Sequence, residues 1–385
     1  MIVAVPKETH LGERRVALIP IAVPSLTKAG LEVVIEAGAG EGAKFSDTAF
    51  EARGARIETE HLRLLSQADV VVMVRGPGFH REFPARDLDA LREGATIIAF
   101  LEPLAEPETM IALARRNLTL FAMELIPRTT RAQSMDAVSS MATIAGYKAV
   151  LLAANALPKL FPMLMTAAGT ITPARVLVMG AGVAGLQAIS TARRLGAVVE
   201  AYDIRPIVKE EVESLGAKFV ELELKSQEAQ DAGGYATAQS EDFYRREQEL
   251  LARHVRNADV VITTAAVPGK RAPTLIPKEV VAGMRPGSVI VDLGAEKGGN
   301  CAVTVPGETI VHNGVTVVGP IRPAAELAVH ASQMYSSNVS AFLLYLVKDG
   351  RLNLNLEDEI IRGTLVAHGG TLVHEAVLAA LKQGV

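Results

Sequence analysis

Short apolar runs rich in β-branched residues alternate with amphipathic stretches along almost the whole chain. Ile2–Val5, Val33–Ile35, Val70–Val74, Thr96–Phe100 and Leu118–Ala122 read as strands, with helical patterns such as Pro24–Ala29, Asp47–Arg53, Leu88–Glu93 and Pro107–Arg115 between them. A second series begins after position 170, with strand-like runs at Val176–Met179, Val198–Tyr202, Phe219–Glu221, Val260–Thr263 and Val289–Leu293. Strand followed by helix, repeated, predicts parallel sheets covered on both faces. Two long helical patterns, Ser134–Ala154 and Pro323–Lys348, flank the second series. The expected fold is α/β: two Rossmann-like, doubly wound parallel-sheet domains joined by two long crossing helices. The first comprises 1–135 plus 345–385, the second 136–344. Gly369-Gly370, between two alternating segments of the tail, predicts a hairpin returned to the first domain.

Composition narrows the function class. Formal charge is −4 over 385 residues, which gives no clustered basic footprint for nucleic acid. Cys301 is the only cysteine, so an intrachain disulfide framework is excluded and a structural zinc site disfavoured. The longest uncharged run, Leu327–Val347, is interrupted by His330, Ser332, Gln333, Ser336, Ser337, Asn338 and Ser340. So many polar groups suit a helix between protein surfaces better than one in hydrocarbon. The start, Met1-Ile-Val-Ala-Val-Pro, has no basic signal-type region. The expectation is a cytoplasmic chain that does not itself cross a membrane.

The strongest chemical signal is Arg175-Val-Leu-Val-Met-Gly180-Ala-Gly182-Val183-Ala-Gly185, a strand running into Gly-x-Gly-x-x-Gly and then a helix. Gly180 permits the tight turn, Gly182 lets backbone approach a diphosphate, and Gly185 allows helix to pack on strand. A diphosphate at that helix N-terminus meets unpaired N–H groups and a favourable dipole. The next strand ends in Asp203, placed to accept from a ribose 2′-hydroxyl and to repel a 2′-phosphate. NAD(H) is therefore favoured over NADP(H), with Arg205 as a counter-indication.

Loops after later strands bear on the same nucleotide, notably Thr263-Thr264-Ala265 and Gly294–Asn300. Ala232-Gly233-Gly234-Tyr235, within a polar stretch, reads either as a mobile lid or as a solvated surface loop. Pro127-Arg128-Thr-Thr-Arg131-Ala-Gln133-Ser-Met-Asp136-Ala-Val-Ser139 joins the two domains. Arg128, Gln133, Asp136 and Ser139 could fix a nicotinamide carboxamide and its ribose. Equally, Ser134 or Asp136 could simply cap a helix, with an ion pair to Arg128 or Arg131. The sequence contains no nucleophile elbow, Walker loop or His-Glu-x-x-His pattern.

Val5-Pro-Lys-Glu-Thr-His10, Glu13-Arg-Arg-Val-Ala-Leu18, Ala37-Gly-Ala-Gly40 and Phe45-Ser-Asp47 resemble the alanine dehydrogenase and transhydrogenase superfamily. Pro127–Asp136, Phe161-Pro-Met-Leu-Met-Thr-Ala-Ala-Gly169 and Asp231-Ala-Gly-Gly-Tyr235 resemble more narrowly the NAD(H)-binding component of proton-translocating NAD(P) transhydrogenases. The resemblance implies that Arg128, Gln133, Asp136 and Ser139 position the nicotinamide. It implies that Gly180, Gly182, Val183 and Gly185 form the diphosphate turn and that Asp203 meets the adenosine ribose. It also implies a loop at Gly234 and Tyr235 that closes over nucleotide. Hydride would pass directly to NADP(H) held on a partner subunit, and a membrane-spanning proton-channel subunit would couple that transfer to proton movement. A homodimer on the inner face of the plasma membrane is expected. Where an alanine dehydrogenase pattern has a substrate lysine this chain has Arg75, and where it has a catalytic histidine it has Glu102; Arg15 is retained. Alanine oxidation with NAD is the alternative, and a catalytically silent NAD-binding module is a third reading.

Overall fold

Alternating side chains on a buried strand point to opposite faces, so a strand covered on both sides supplies two cores. Arg175–Met179 does this: Val176 and Val178 join Val260, Ile262, Val289 and Val291 on one face, while Leu177 and Met179 join Val261 and Ile290 on the other. A computed structural model describes residues 1–77, 85–221, 249 and 251–383 of the chain. They form two units, Met1–Met141 with Ala324–Val385, and Ala142–Pro323.

The first unit carries an eight-stranded sheet in the order Thr371–Leu372, Leu365–His368, Thr119–Ala122, Thr96–Phe100, Val70–Arg75, Ile2–Val5, Glu32–Glu36, Arg56–Glu58. Its six N-terminal strands are all parallel. The chain order reverses beside Ile2–Val5, whose neighbours are the second and fourth strands. Leu365–His368 adds antiparallel to Thr119–Ala122 and turns into Thr371–Leu372. Gly369 (φ 57°) and Gly370 (φ 81°) make that turn, which needs two left-handed residues to match the strand twist.

The second unit repeats the plan. Its seven strands run Lys218–Phe219, Val198–Tyr202, Arg175–Met179, Val260–Thr263, Val289–Asp292, Val315–Val318, Thr309–His312, with only the last antiparallel. The order again reverses, between Arg175–Met179 and Val260–Thr263. A separate hairpin, Leu164–Thr166 with Gly169–Ile171, is exposed throughout.

Two differences from the sequence reading concern the long helices. The helix expected from Ser134 begins at Ala137 and runs to Ala156. Asp136, outside the helical conformation at ψ 86°, caps it: the carboxylate accepts from Ser139 N–H at 2.8 Å. Residues Thr130–Met135 form a 3-10 turn instead. The helix Ala137–Ala156 is also long and apolar enough to cross a membrane, yet Ala149, Val150 and Ala153 are fully buried in a core of the second unit. Close packing explains its Gly146, where a Cβ would lie 2.0 Å from the Ala184 carbonyl oxygen.

The other long helix, Ala328–Leu346, falls in the first unit, not in the second as the expected boundary at 344 implies. Side-chain hydrogen bonds account for this. Ser332 and Ser336 accept from the N–H groups of Val16 and Ile19, and Tyr335 donates to the carbonyl of Met73.

Candidate functional site

In the second unit the strand Arg175–Met179 ends at Gly180, whose φ of 104° is open to glycine and strained for other residues. The helix Val183–Arg194 starts two residues later, with Gly182 as its cap and Val183 as its first residue. Its first N–H groups have no partner within the helix. Gly185 packs so closely that a Cβ there would stand 1.8 Å from the Gly180 oxygen. Gly182 is the contrast: its φ of −77° suits any residue, and a Cβ would meet nothing within 4 Å. The space above Gly182 is where an anion fits, against the open end of a helix. Thr264 and Ala265 border the same turn. Thr264 donates its backbone N–H to the Met179 carbonyl and its hydroxyl to the Gly180 carbonyl, both at 2.9 Å.

Asp203 is buried at the end of the adjacent strand, but its carboxylate is already engaged. One oxygen accepts from Ala181 N–H at 2.7 Å and from Arg205 Nη2; the other accepts from Arg205 N and Nε. Four donors fill the four lone-pair positions of a carboxylate. A ribose contact at Asp203 therefore requires Arg205 to give up part of its fork. Arg205 itself is turned inward onto Asp203.

The sequence reading passed over Asp292, which organises the loop that it did single out at Gly294–Asn300. Fully buried at its strand end, Asp292 accepts from Thr263 Oγ1, Gly294 N, Cys301 N and Thr304 Oγ1 at 2.7–3.0 Å. Asn300 then donates to the carbonyls of Ala265 and Pro273. An aspartate closing an otherwise apolar strand, Val-Ile-Val-Asp, was the available signal. Burial keeps the nearby Cys301 thiol protonated by raising its pKa. Gly234 and Tyr235 lie outside the described residues.

In the first unit, the 3-10 turn Thr130–Met135 buries Ala132 and Met135 and leaves Gln133 outward. Among the described residues nothing bonds the Gln133 side chain. Arg128 is exposed, and Arg131 pairs with Asp358 and Glu359. Asp136 and Ser139 are brought together, with a second bond of 2.6 Å between hydroxyl and carboxylate. The capping alternative therefore describes Asp136 and Ser139 in this structure, whereas Gln133 points outward from the same segment.

The crevice at the carboxyl ends of Ile2–Val5 and Val70–Arg75, where chain order reverses, is where an open α/β sheet takes ligands. Here the chain's own groups fill it. Arg15 clasps Glu13 in a two-bond fork of 2.6 and 2.7 Å, and Arg75 Nε adds a third contact at 3.2 Å. Glu8 accepts from Val74 N and Arg75 N. Burial favours the neutral form of Glu13, but Arg15's hydrogen bonds and charge outweigh it and hold the carboxyl at about 2. Burial, then the Glu13 charge, pushes Glu8 up to about 8. Burial also raises Glu124 to about 7; its Oε1 accepts from the N–H groups of Leu101 and Glu102.

Comparison with known proteins follows this division. Residues 4–145 match the alanine dehydrogenase/PNT N-terminal domain and 149–375 the corresponding C-terminal domain. An NAD(P) transhydrogenase subunit alpha chain of Rhodospirillum rubrum is 46% identical over 380 residues, 98% of this chain and 99% of that one. A transhydrogenase structure from Sinorhizobium meliloti superimposes with a TM-score of 0.86 at 44% identity, covering 97% of this chain and all of that one. An L-alanine dehydrogenase structure, covering all of both chains, shares the fold at a TM-score of 0.81 but only 27% identity. The chain belongs to the alanine dehydrogenase/PNT family, closer in sequence to its NAD(P) transhydrogenase subunits than to that alanine dehydrogenase.

Proposed function

We propose that this chain is the NAD(H)-binding subunit of a proton-translocating transhydrogenase. It transfers hydride between its own NAD(H) and NADP(H) held on a partner subunit, and membrane-spanning subunits couple the transfer to proton movement. That assembly would hold it at the cytoplasmic face of the plasma membrane.

The observation that carries this reading over alanine oxidation is the Glu13 carboxylate in the fork of Arg15. An amino-acid dehydrogenase needs an open anion site for its substrate and a group that moves a proton. In this chain the arginine is committed to an internal carboxylate, and Arg75 and Glu102 stand where the alanine dehydrogenase pattern has lysine and histidine. Transfer between two nicotinamides needs apposition, orientation and exclusion of water, with no general acid or base. The open space at Gly182 fits a diphosphate, and the bound nicotinamide would supply or accept the hydride. Gly180, Gly182, Val183 and Gly185 hold the diphosphate, with Thr264 and Ala265 beside it. Asp203 takes the adenosine ribose, and Gly234 and Tyr235 close over the nucleotide. Arg128 and Gln133 orient the nicotinamide end, on a backbone fixed by the Asp136–Ser139 cap.

A homodimer is part of the proposal. The hairpin at 164–171 exposes Met163, Leu164, Met165 (79%) and Ile171. An isolated two-stranded hairpin is marginal in water, and a second copy of this chain would cover its apolar side chains.

The test is reconstitution with a separately prepared NADP(H)-binding subunit. Hydride should pass between the nucleotide pools only in the mixture, and sedimentation of this chain alone should give the mass of a pair. Steady NADH oxidation with pyruvate and ammonia, by the chain alone, would refute the proposal.

A further inference from the structure

The helix Ala328–Leu346 contains no Asp, Glu, Lys or Arg, and its polar side chains are mostly turned inward. Ser332, Tyr335 and Ser336 use theirs to hold the segments at 16–19 and 73. Asn338 is different. Its Nδ2 donates to the carbonyl of Ser134 at 2.8 Å, while its Oδ1 has no partner among the described residues. Only 7% of the residue is exposed. A buried acceptor left unpaired destabilises the fold, and an apolar side chain would avoid it. What Asn338 supplies in return is the bond at its other end.

That bond falls one residue after Gln133. The turn Thr130–Met135 has six residues in 3-10 geometry, a form whose hydrogen bonds are poor and whose runs seldom exceed three or four residues. It needs support from outside itself. Seven residues beyond Asn338, on the same side of the helix, Tyr345 donates to Asp358, and Asp358 also accepts from Arg131. One helix face therefore holds the turn at two points, before and after Gln133. The first of these is at the surface; the bond from Asn338 is in the interior.

We propose that Asn338 is a positioning residue for hydride transfer: by holding the Ser134 carbonyl, it fixes the backbone that presents Gln133 to the nicotinamide. The inference rests on the transhydrogenase reading above. Asn338 touches no nucleotide in this scheme; it acts through the orientation of Gln133.

Asn338→Ala tests it in the reconstituted mixture. Transfer should slow by about 10- to 100-fold, the effect of displacing a reacting group by about an ångström, with the Kd for NADH changed less than about twofold. Equal losses of rate and affinity, or an unchanged rate, would overturn the inference. Asn338→Asp provides a second readout should the alanine variant fold poorly. A buried carboxyl facing a carbonyl keeps its proton to unusually high pH and in that form donates as the amide does. The rate of Asn338→Asp relative to wild type should therefore rise as pH falls from about 9 to about 5. A ratio independent of pH would also overturn it. Absence of transfer by the wild-type chain with a competent partner would remove the functional reading and this inference together, whereas normal wild-type transfer with unaffected variants removes the inference alone.

Discussion

Gly182→Ala isolates the part of the glycine turn that serves a ligand from the part that serves the fold. At φ −77° the backbone accepts alanine, and the added methyl meets no protein atom within 4 Å. The folded chain should therefore melt within about 1 °C of wild type, as surface substitutions without a packing consequence do. A diphosphate over the helix N-terminus would meet that methyl and be held away from the backbone N–H groups. Losing one or two hydrogen bonds to a charged group costs about 1.5–3 kcal/mol, or about 10- to 150-fold in Kd. Gly185→Ala is the opposite case. Its methyl would stand 1.8 Å from the Gly180 oxygen, so backbone must move by more than an ångström. Overpacking of that kind costs about 1–3 kcal/mol, which at about 2–4 °C per kcal/mol lowers Tm visibly. Titration of NADH by fluorescence, beside a thermal melt of each variant, separates the two effects. If Gly182→Ala binds NADH as tightly as wild type, the diphosphate does not lie over this turn and the placement of the nucleotide is wrong.

Two further outcomes follow from charged groups. Asp203→Ala leaves the Arg205 guanidinium and the Ala181 N–H without their shared acceptor; it should destabilise the chain by about 3 kcal/mol and weaken NADH binding, and an unchanged melt would show that the pair contributes nothing. The Glu8 carboxyl, raised to about 8 in the fold from an ordinary 4.5, binds its proton more tightly folded than unfolded. Its contribution is complete below the unfolded pKa and is lost as pH rises through about 8, so Tm should fall between roughly pH 6 and 9, and Glu8→Gln should flatten that fall. Identical pH profiles for wild type and Glu8→Gln would contradict the assignment.

The sequence by itself determined the elements that repeat. β-Branched runs of four to six residues and the helices between them required two covered parallel sheets, because period-two alternation leaves no solvent face. It also determined the glycine turn, since Gly180 and Gly185 are dictated by a positive φ and a contact no Cβ survives. Gly369-Gly370 likewise announced its hairpin. What stayed illegible were choices made by distant partners. The Arg-Ile-Glu strand at 56–58 is too short to show a period, and it forms because its neighbour Glu32–Glu36 offers an open edge. Nothing near Asp203 in the chain says that Ala181 and Arg205 will fill its lone pairs, although both donors were in plain view. The start of the crossing helix turned on whether Asp136 spent its carboxylate on Ser139 or on a ligand, and local pattern supports either. Arg15 and Glu13 are two residues apart, but only folding brings Arg75 to the same carboxylate and seals the crevice. Asn338, lost in sequence among the serines of an apolar helix, gains its meaning only from Ser134, some two hundred positions earlier. Local sterics and periodicity are written in neighbouring residues; burial and the pairing of polar groups belong to whatever the fold places opposite them.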